Sequence, residues 1–159
     1  MANYSLEEKD SFVVLGFGTE LKSDYTGYAG INKEKAGFWE QVQQDGRLDA
    51  LKSVAANDYI FAVNEAVNNK MMYYAGVMTE EILPEATRVI QFPQGEYLVV
   101  KGEGETAKAL RETLTGIAFG QALPEAKEVA YVGGPNTTVE MGQRDGLVFG
   151  EMWIPVVRQ

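Results

Sequence analysis

The 159 residues of the chain include no histidine and no cysteine. Nucleophilic catalysis of the Ser-His-Asp or Cys-His kind is therefore unavailable. Disulfides and thiolate metal sites are excluded, and the commonest zinc ligand is absent. Proton chemistry near neutral pH would fall to Asp, Glu, Tyr or Lys with shifted pKa values, or to an ordered water. Neither a metal nor a cofactor is expected. The carboxylate that draws notice is Glu140, mid-segment in Thr137-Thr138-Val139-Glu140-Met141. That segment has strand character, and Glu is depleted in strands. Two readings compete: the side chain faces solvent, or it is held in a concavity for a ligand. On the strand pattern alone the solvent-facing reading is the better one.

The aromatic residues bear on that choice. Trp39, Tyr73, Tyr74, Tyr97, Phe119 and Trp153 fall on predicted helix faces and inner strands. Core packing should claim at least half of them. A subset gathered around a carboxylate would receive a flat lipophilic cation through stacking and cation–π attraction. Adjacent strand residues face opposite sides, so Tyr73 and Tyr74 cannot both point into one site.

These groups need elements to position them. Ser11 to Phe17 reads as a strand, followed by a polar stretch holding Tyr25 and Tyr28. A helix is predicted from about Ile31 to Gln44, with Ile31, Phe38, Trp39 and Val42 on one face. Asp45-Gly46 ends it, and Leu48, Leu51, Val54 and Ala55 suggest a short second helix. Tyr59 to Asn64 and Met71 to Met78 form a hairpin across Asn68-Asn69. Pro84-Glu85 breaks the chain, Thr87 to Phe92 is a further strand, and Glu96 to Lys101 a strong one. Ala107, Leu110, Leu114, Ile117 and Ala118 mark the clearest helix, with Gly120 as its stop. Glu128 to Tyr131 is extended, and Gly133 to Asn136 turns. Thr137 to Met141 and Leu147 to Val157 form a closing hairpin across Arg144-Asp145-Gly146.

The order strand, helix, strand, strand thus occurs twice. Val13 to Gly18 and Val99 to Gly104 share the pattern Val-Val-x-Gly-x-Gly, at an offset of 86 (Val99 against Val13). Val63-Asn64 aligns with Val139-Glu140, at an offset of 76 (Glu140 against Asn64). Tyr74 to Val77 aligns with Trp153 to Val156. The predicted fold is α+β: duplicated strand-helix-strand-strand units, an antiparallel sheet, two main helices and a central ligand groove. One domain over 1–159 is expected, with pseudo-repeats at about 11–80 and 87–157. Asn64 and Glu140 then fall at matching positions near the junction of the halves, where pockets tend to form.

Two motifs are set aside. Gly102-Glu103-Gly104-Glu105-Thr106-Ala107 outlines a dinucleotide fingerprint. Its two glutamates would oppose a pyrophosphate, and the strands that follow read as an antiparallel hairpin rather than a parallel unit. Asn136-Thr137-Thr138 is a glycosylation sequon read here as a turn.

The bulk numbers are those of a globular protein, 45% hydrophobic and 11% aromatic. No apolar run approaches the roughly 20 residues that span a bilayer, and the first ten residues lack signal-peptide character. A cytoplasmic location with no membrane partner is expected. The net charge of −9 opposes direct nucleic-acid binding and would attract cationic small molecules.

Several motifs, in order, carry a family resemblance. They are Phe38-Trp39, the Tyr74 to Val77 strand, Phe92-Pro93-x-Gly95-x-Tyr97, Leu123-Pro124, Glu140 and Trp153-Ile154-Pro155-Val156. From about Phe12 to Val157 the chain resembles the GyrI-like small-molecule-binding family. That family includes effector-binding domains of bacterial multidrug-responsive transcription activators. The resemblance implies that Glu140 recognises cationic lipophilic ligands and that Trp39, Tyr74 and Trp153 line the groove. It also turns the reading of Glu140 from solvent to pocket. An aromatic often follows the family's glutamate by two positions. Gly142 stands there instead, which implies extra room in the wall.

The expected function is a stand-alone receptor for a lipophilic, aromatic, cationic compound. Glu140 and Tyr74 are the reactive groups, and Trp39, Asn64, Tyr73, Phe119 and Trp153 the binding ones. The length is expected to leave no room for a separate helix-turn-helix domain. The alternative is an enzyme. Stand-alone family members include hydrolases that open the cyclopropane ring of DNA-alkylating natural products. In that case Glu140 would act as general base, and Tyr74 would orient the water or donate to the developing phenolate. A protein partner, as in gyrase inhibition, is a third class, for which no exposed segment argues.

Overall fold

The computed structural model describes residues 3–22, 28–81, 83, 86 and 88–159, with the side chains of Tyr28 and Ala29 left out. Tyr25, Pro84, Glu85 and Thr87 lie outside the described residues.

The first half comprises β2 (Phe12–Glu20), α1 (Tyr28–Gln44), α2 (Arg47–Val54), β3 (Ile60–Val67) and β4 (Lys70–Met78). The second comprises β6 (Gly95–Gly104), α3 (Ala107–Ile117), β8 (Asn136–Arg144) and β9 (Leu147–Arg158). β1 (Ser5–Lys9) and β5 (Arg88–Phe92) lead into the halves, and β7 (Val129–Tyr131) precedes β8. The strand order is β1-β6-β9-β8-β3-β4-β2-β5, with β7 also on β9. Every pairing is antiparallel. The leading strands are exchanged: β1 edges the second half and β5 the first. β3 and β8 form the seam, setting Ile60 opposite Glu140, Ala62 opposite Thr138, and Asn64 opposite Asn136.

Local chemistry accounts for the turns. Asn68 (φ 52°) and Asn69 (φ 65°) take left-handed conformations in the β3–β4 hairpin, as Asp145 (φ 55°) and Gly146 (φ 78°) do between β8 and β9. Asn, Asp and Gly tolerate that region, and its twist suits a two-residue hairpin. The Thr106 hydroxyl caps α3 by accepting the Ala109 N–H at 3.0 Å. A Cβ on Gly104 would come within 2.7 Å of the Leu110 nitrogen, so glycine lets β6 turn tightly into α3. The Gly-x-Gly segment therefore shapes a strand-to-helix turn in an antiparallel sheet.

Two expectations are corrected and one strand is added. The helix does not stop at Gly120. It passes through a π turn (Ala118–Ala122) into α4 (Leu123–Glu125). Ala118, Ala122 and Ala126 are buried in the same core cluster, and this packing outweighs one glycine's helix propensity. Asn136 to Thr138 is a buried strand, not a turn. β1 is an additional strand whose sequence, Ser-Leu-Glu-Glu-Lys, carries no alternating pattern of its own. Pairing with β6 supplies its order.

The sheet buries residues on both faces. One face packs on α1 and α2 through Leu15, Phe17, Trp39, Leu51, Tyr73 and Val77. It packs on α3 through Leu98, Val100, Leu114, Met152 and Ile154. On the other face Phe12 stacks on Phe92 with centroids 4.5 Å apart, and meets Trp153 edge-on at 5.6 Å. Strands from opposite ends of the sheet thus meet there. The sheet curls into a half-barrel around this aromatic core, with the helices on its outer side.

Candidate functional site

A groove runs between α1 and α3 over the β3–β8 seam. From α1 come Asn32, Lys35, Ala36 and Trp39, and from α3 come Lys108, Arg111, Glu112 and Thr115. Each set falls at i, i+3, i+4 and i+7, one stripe of a helix. Ala62, Asn64, Tyr73 and Thr138 form the floor.

The Trp39 indole N–H donates to the Tyr73 hydroxyl at 2.7 Å, a buried bond tying α1 to β4. The Arg111 guanidinium lies over the Trp39 ring, 4.3 Å from its centroid. Lys35 Nζ stands 4.8 Å from the Tyr73 centroid. Lys108 Nζ lies 2.8 Å from Glu112 Oε2, an ion pair without hydrogen-bond alignment. Both aromatic faces are therefore already covered by cations.

Burial sets the electrostatics. It pushes the Lys35 ammonium down to about 8, and the charge of Arg111 adds to the shift. It also lowers Arg111, while Tyr73, Glu140 and Glu112 act in the opposite sense. Tyr73 is pushed up by burial, with Arg111 and the Trp39 hydrogen bond opposing.

Glu140 lies on the helix-facing side of β8, in line with Thr138 and Asn136, and is half-buried. It stands beyond the groove lining and acts on the groove through Arg111. A register shift follows it, between Glu140 and Gly142. Gly150 passes so close opposite that a Cβ there would lie 2.0 Å from the Val139 carbonyl oxygen. The extra room expected beside Gly142 is taken by Phe149, whose ring would meet a Cβ at 3.2 Å.

Trp39, Asn64 and Tyr73 line the groove together. Phe119 lines an adjoining chamber that shares Asn32, Lys35, Asn64 and Thr115 with the groove. Tyr74 and Trp153 do not join them. Strand alternation turns both to the opposite face, into the half-barrel core. The Tyr74 ring fills the space over Gly18, where a Cβ would lie 2.3 Å from two ring carbons. Trp153 packs on Phe12 and Phe61 and donates its indole N–H to Glu151 at 2.8 Å. The Glu140–Tyr74 pair expected to activate water is therefore not assembled. Between the two tyrosines, Tyr73 is the one that faces the groove.

The sequence reading missed Lys35 and Arg111. Their signal was present: each lies beside the apolar stripe of its helix, in step with Trp39 or Thr115. Among the described residues no group of three or more Asp and Glu could hold a metal. No described helix is long and apolar enough to cross a membrane.

A groove with aromatic lining, walled by two helices over the seam of a curled antiparallel sheet, defines a small-molecule effector-binding domain of the GyrI-like fold. The sequence matches the family model described as integron-associated effector binding protein (Cass2) over residues 5–156, and the chain belongs to that family. No curated protein matches it in sequence. Solved structures share the fold, among them the following three. SAV2435 bound to tetraphenylphosphonium has a TM-score of 0.79 at 18% identity, over 98% of this chain and 94% of that one. A putative transcription regulation protein from Staphylococcus aureus MU50 has a TM-score of 0.73 at 20% identity, over 98% and 99%. The integron cassette protein VCH_CASS2, from the mobile metagenome of Vibrio cholerae, has a TM-score of 0.64 at 12% identity, over 97% and 95%.

Proposed function

We propose that the chain is a receptor for lipophilic, aromatic, cationic compounds. The ligand stacks between α1 and α3 on Trp39 and Tyr73, with Glu140 as the nearby counter-charge. One observation carries this reading. The groove already seats a cation, the Arg111 guanidinium, on the Trp39 ring and within the field of Glu140. An aromatic face beside a carboxylate attracts a ligand cation by the same physics. The free volume over that seat is only about 20 Å³, so a ligand enters by displacing the Arg111 arm from Trp39 and the Lys35 ammonium from Tyr73. The tetraphenylphosphonium complex of the similar SAV2435 fold supports the choice of ligand class. Ring-opening hydrolysis gains no support from this geometry, because Tyr74 and Glu140 face opposite sides of the sheet.

The test is calorimetric titration of the full chain with tetraphenylphosphonium, beside a Glu140→Gln variant. Binding by the wild type and a loss of about fivefold in the variant, roughly 1 kcal/mol for a partly solvated charge, are expected. No binding at millimolar ligand would sink the reading. Equal affinity in the variant would remove Glu140 from it.

A further inference from the structure

The open space of the groove is not over Trp39. It lies in the adjoining chamber at the N-terminal end of α1, which has about 240 Å³ free against about 20 Å³ over the arginine seat. Leu21, Ile31, Met71, Phe119 and Tyr131 give it apolar walls. Drug-sized pockets hold about 300–1,000 Å³, so this one suits a compact ligand.

The polar floor is largely committed to itself. Asn64 donates to Asn136 Oδ1 at 2.9 Å, and Asn136 donates to the Tyr131 hydroxyl at 2.9 Å. That hydroxyl donates to the Gly134 carbonyl, and the Thr115 hydroxyl donates to the Arg111 carbonyl. Lys35 is different. It lines both groove and chamber, its ammonium stands over the Tyr73 ring, and none of the described salt bridges includes it. The described lining of the chamber holds this one cation and no Asp or Glu. In a chain of net charge −9, that is a local reversal of sign.

We propose that the chamber is a second subsite, which takes the anionic head of a compact lipophilic organic acid on the Lys35 ammonium. The apolar body of the ligand packs against Phe119, Met71 and Ile31. The anion would also relieve the repulsion between Lys35 and Arg111, two cations held in one half-buried groove. The subsite adjoins the cation seat and shares Lys35 with it. It uses the empty part of the groove and needs no movement of Arg111.

The groups facing Lys35 support a readable pH dependence. They are Arg111, Lys108 and Glu112 on α3, Tyr73 on β4 and Tyr131 on β7, with Glu140 on β8 acting through Arg111. With the ammonium lowered to about 8, an anion should bind below that pH and be released above it.

The experiment uses the full chain, with 1-naphthoate as the probe and neutral 1-naphthamide as its control. In the wild type at pH 7, naphthoate should bind at least tenfold tighter than naphthamide. Its affinity should fall at least fivefold between pH 7 and pH 9.5. Lys35→Met, which keeps the apolar stem, should lose at least tenfold for naphthoate and gain affinity for tetraphenylphosphonium. Equal binding of naphthoate and naphthamide by the wild type would overturn the proposal, as would a flat pH profile. Both arms use unmodified protein, so the test stands even if the variant misfolds. Failure of tetraphenylphosphonium to bind would touch only the cation reading, and failure of naphthoate only this one.

Discussion

Replacing Arg111 by alanine removes the cation seated on the Trp39 ring, and the consequence can be worked through. The guanidinium lies 4.3 Å from the Trp39 centroid. A partly desolvated cation–π contact is worth about 0.5–2 kcal/mol. A ligand cation must replace that contact before it gains its own. Removing the arm therefore recovers about 1 kcal/mol of ligand affinity, or about fivefold at 1.4 kcal/mol per decade. Two effects add in the same direction: Glu140 loses its nearby positive charge, and the cramped seat gains the volume of the lost side chain. The assay is calorimetric titration of Arg111→Ala with tetraphenylphosphonium at low salt, where screening is weakest. Tightening by about fivefold or more is expected. The free protein should lose about 1 kcal/mol of stability in urea, because the ring loses its cover. Unchanged or weaker ligand binding would refute the reasoning, since it would mean that Arg111 does not occupy the seat the ligand uses.

Other predictions follow from the same geometry. Tyr73→Phe strands the buried Trp39 indole N–H and should cost about 1–3 kcal/mol in denaturant unfolding, more than loss of an exposed hydroxyl. Lys35 titrates near 8 in the folded chain and near 10.5 unfolded. The unfolded chain thus binds more protons between those values, so this residue makes stability rise with pH across that window. Wild type minus Lys35→Met should show the rise, and a flat difference would contradict the shifted ammonium. Gly150→Ala forces a Cβ to 2.0 Å from the Val139 carbonyl oxygen. It should cost about 3 kcal/mol or more, or prevent folding, as judged by circular dichroism melting. Arg111→Ala should also raise the Lys35 pKa in a carbon-detected NMR titration. It should stop short of 10.5, because burial is the larger cause and remains.

The sequence alone determined the element order and most of the strands and helices. Apolar periodicity marked α1 and α3, and Asn68-Asn69 and Asp145-Gly146 marked the hairpins. These signals are local, carried by side-chain period and turn chemistry, and need no partner to be read. The absence of His and Cys narrowed the chemistry as firmly as any coordinate could. The motif order also led to the right family. Tertiary structure decided which face each aromatic serves. Tyr73 and Tyr74 differ by one position, and only the pairing of β4 with β2 and β3 sends one to the groove and the other beneath the sheet. The family resemblance implied that Trp153 lines the groove, and it instead shares Tyr74's face in the half-barrel core. Lys35 and Arg111 sit about 76 residues apart in sequence (Arg111 against Lys35). Nothing in either helix shows that the other will face it. The β3–β8 seam brings them together, and with them an aromatic seat already holding a cation beside a chamber whose described lining bears positive charge. Glu140, which the strand pattern alone turns to solvent and the family resemblance to the pocket, is one of several charges, set beyond the groove lining and coupled to it through Arg111.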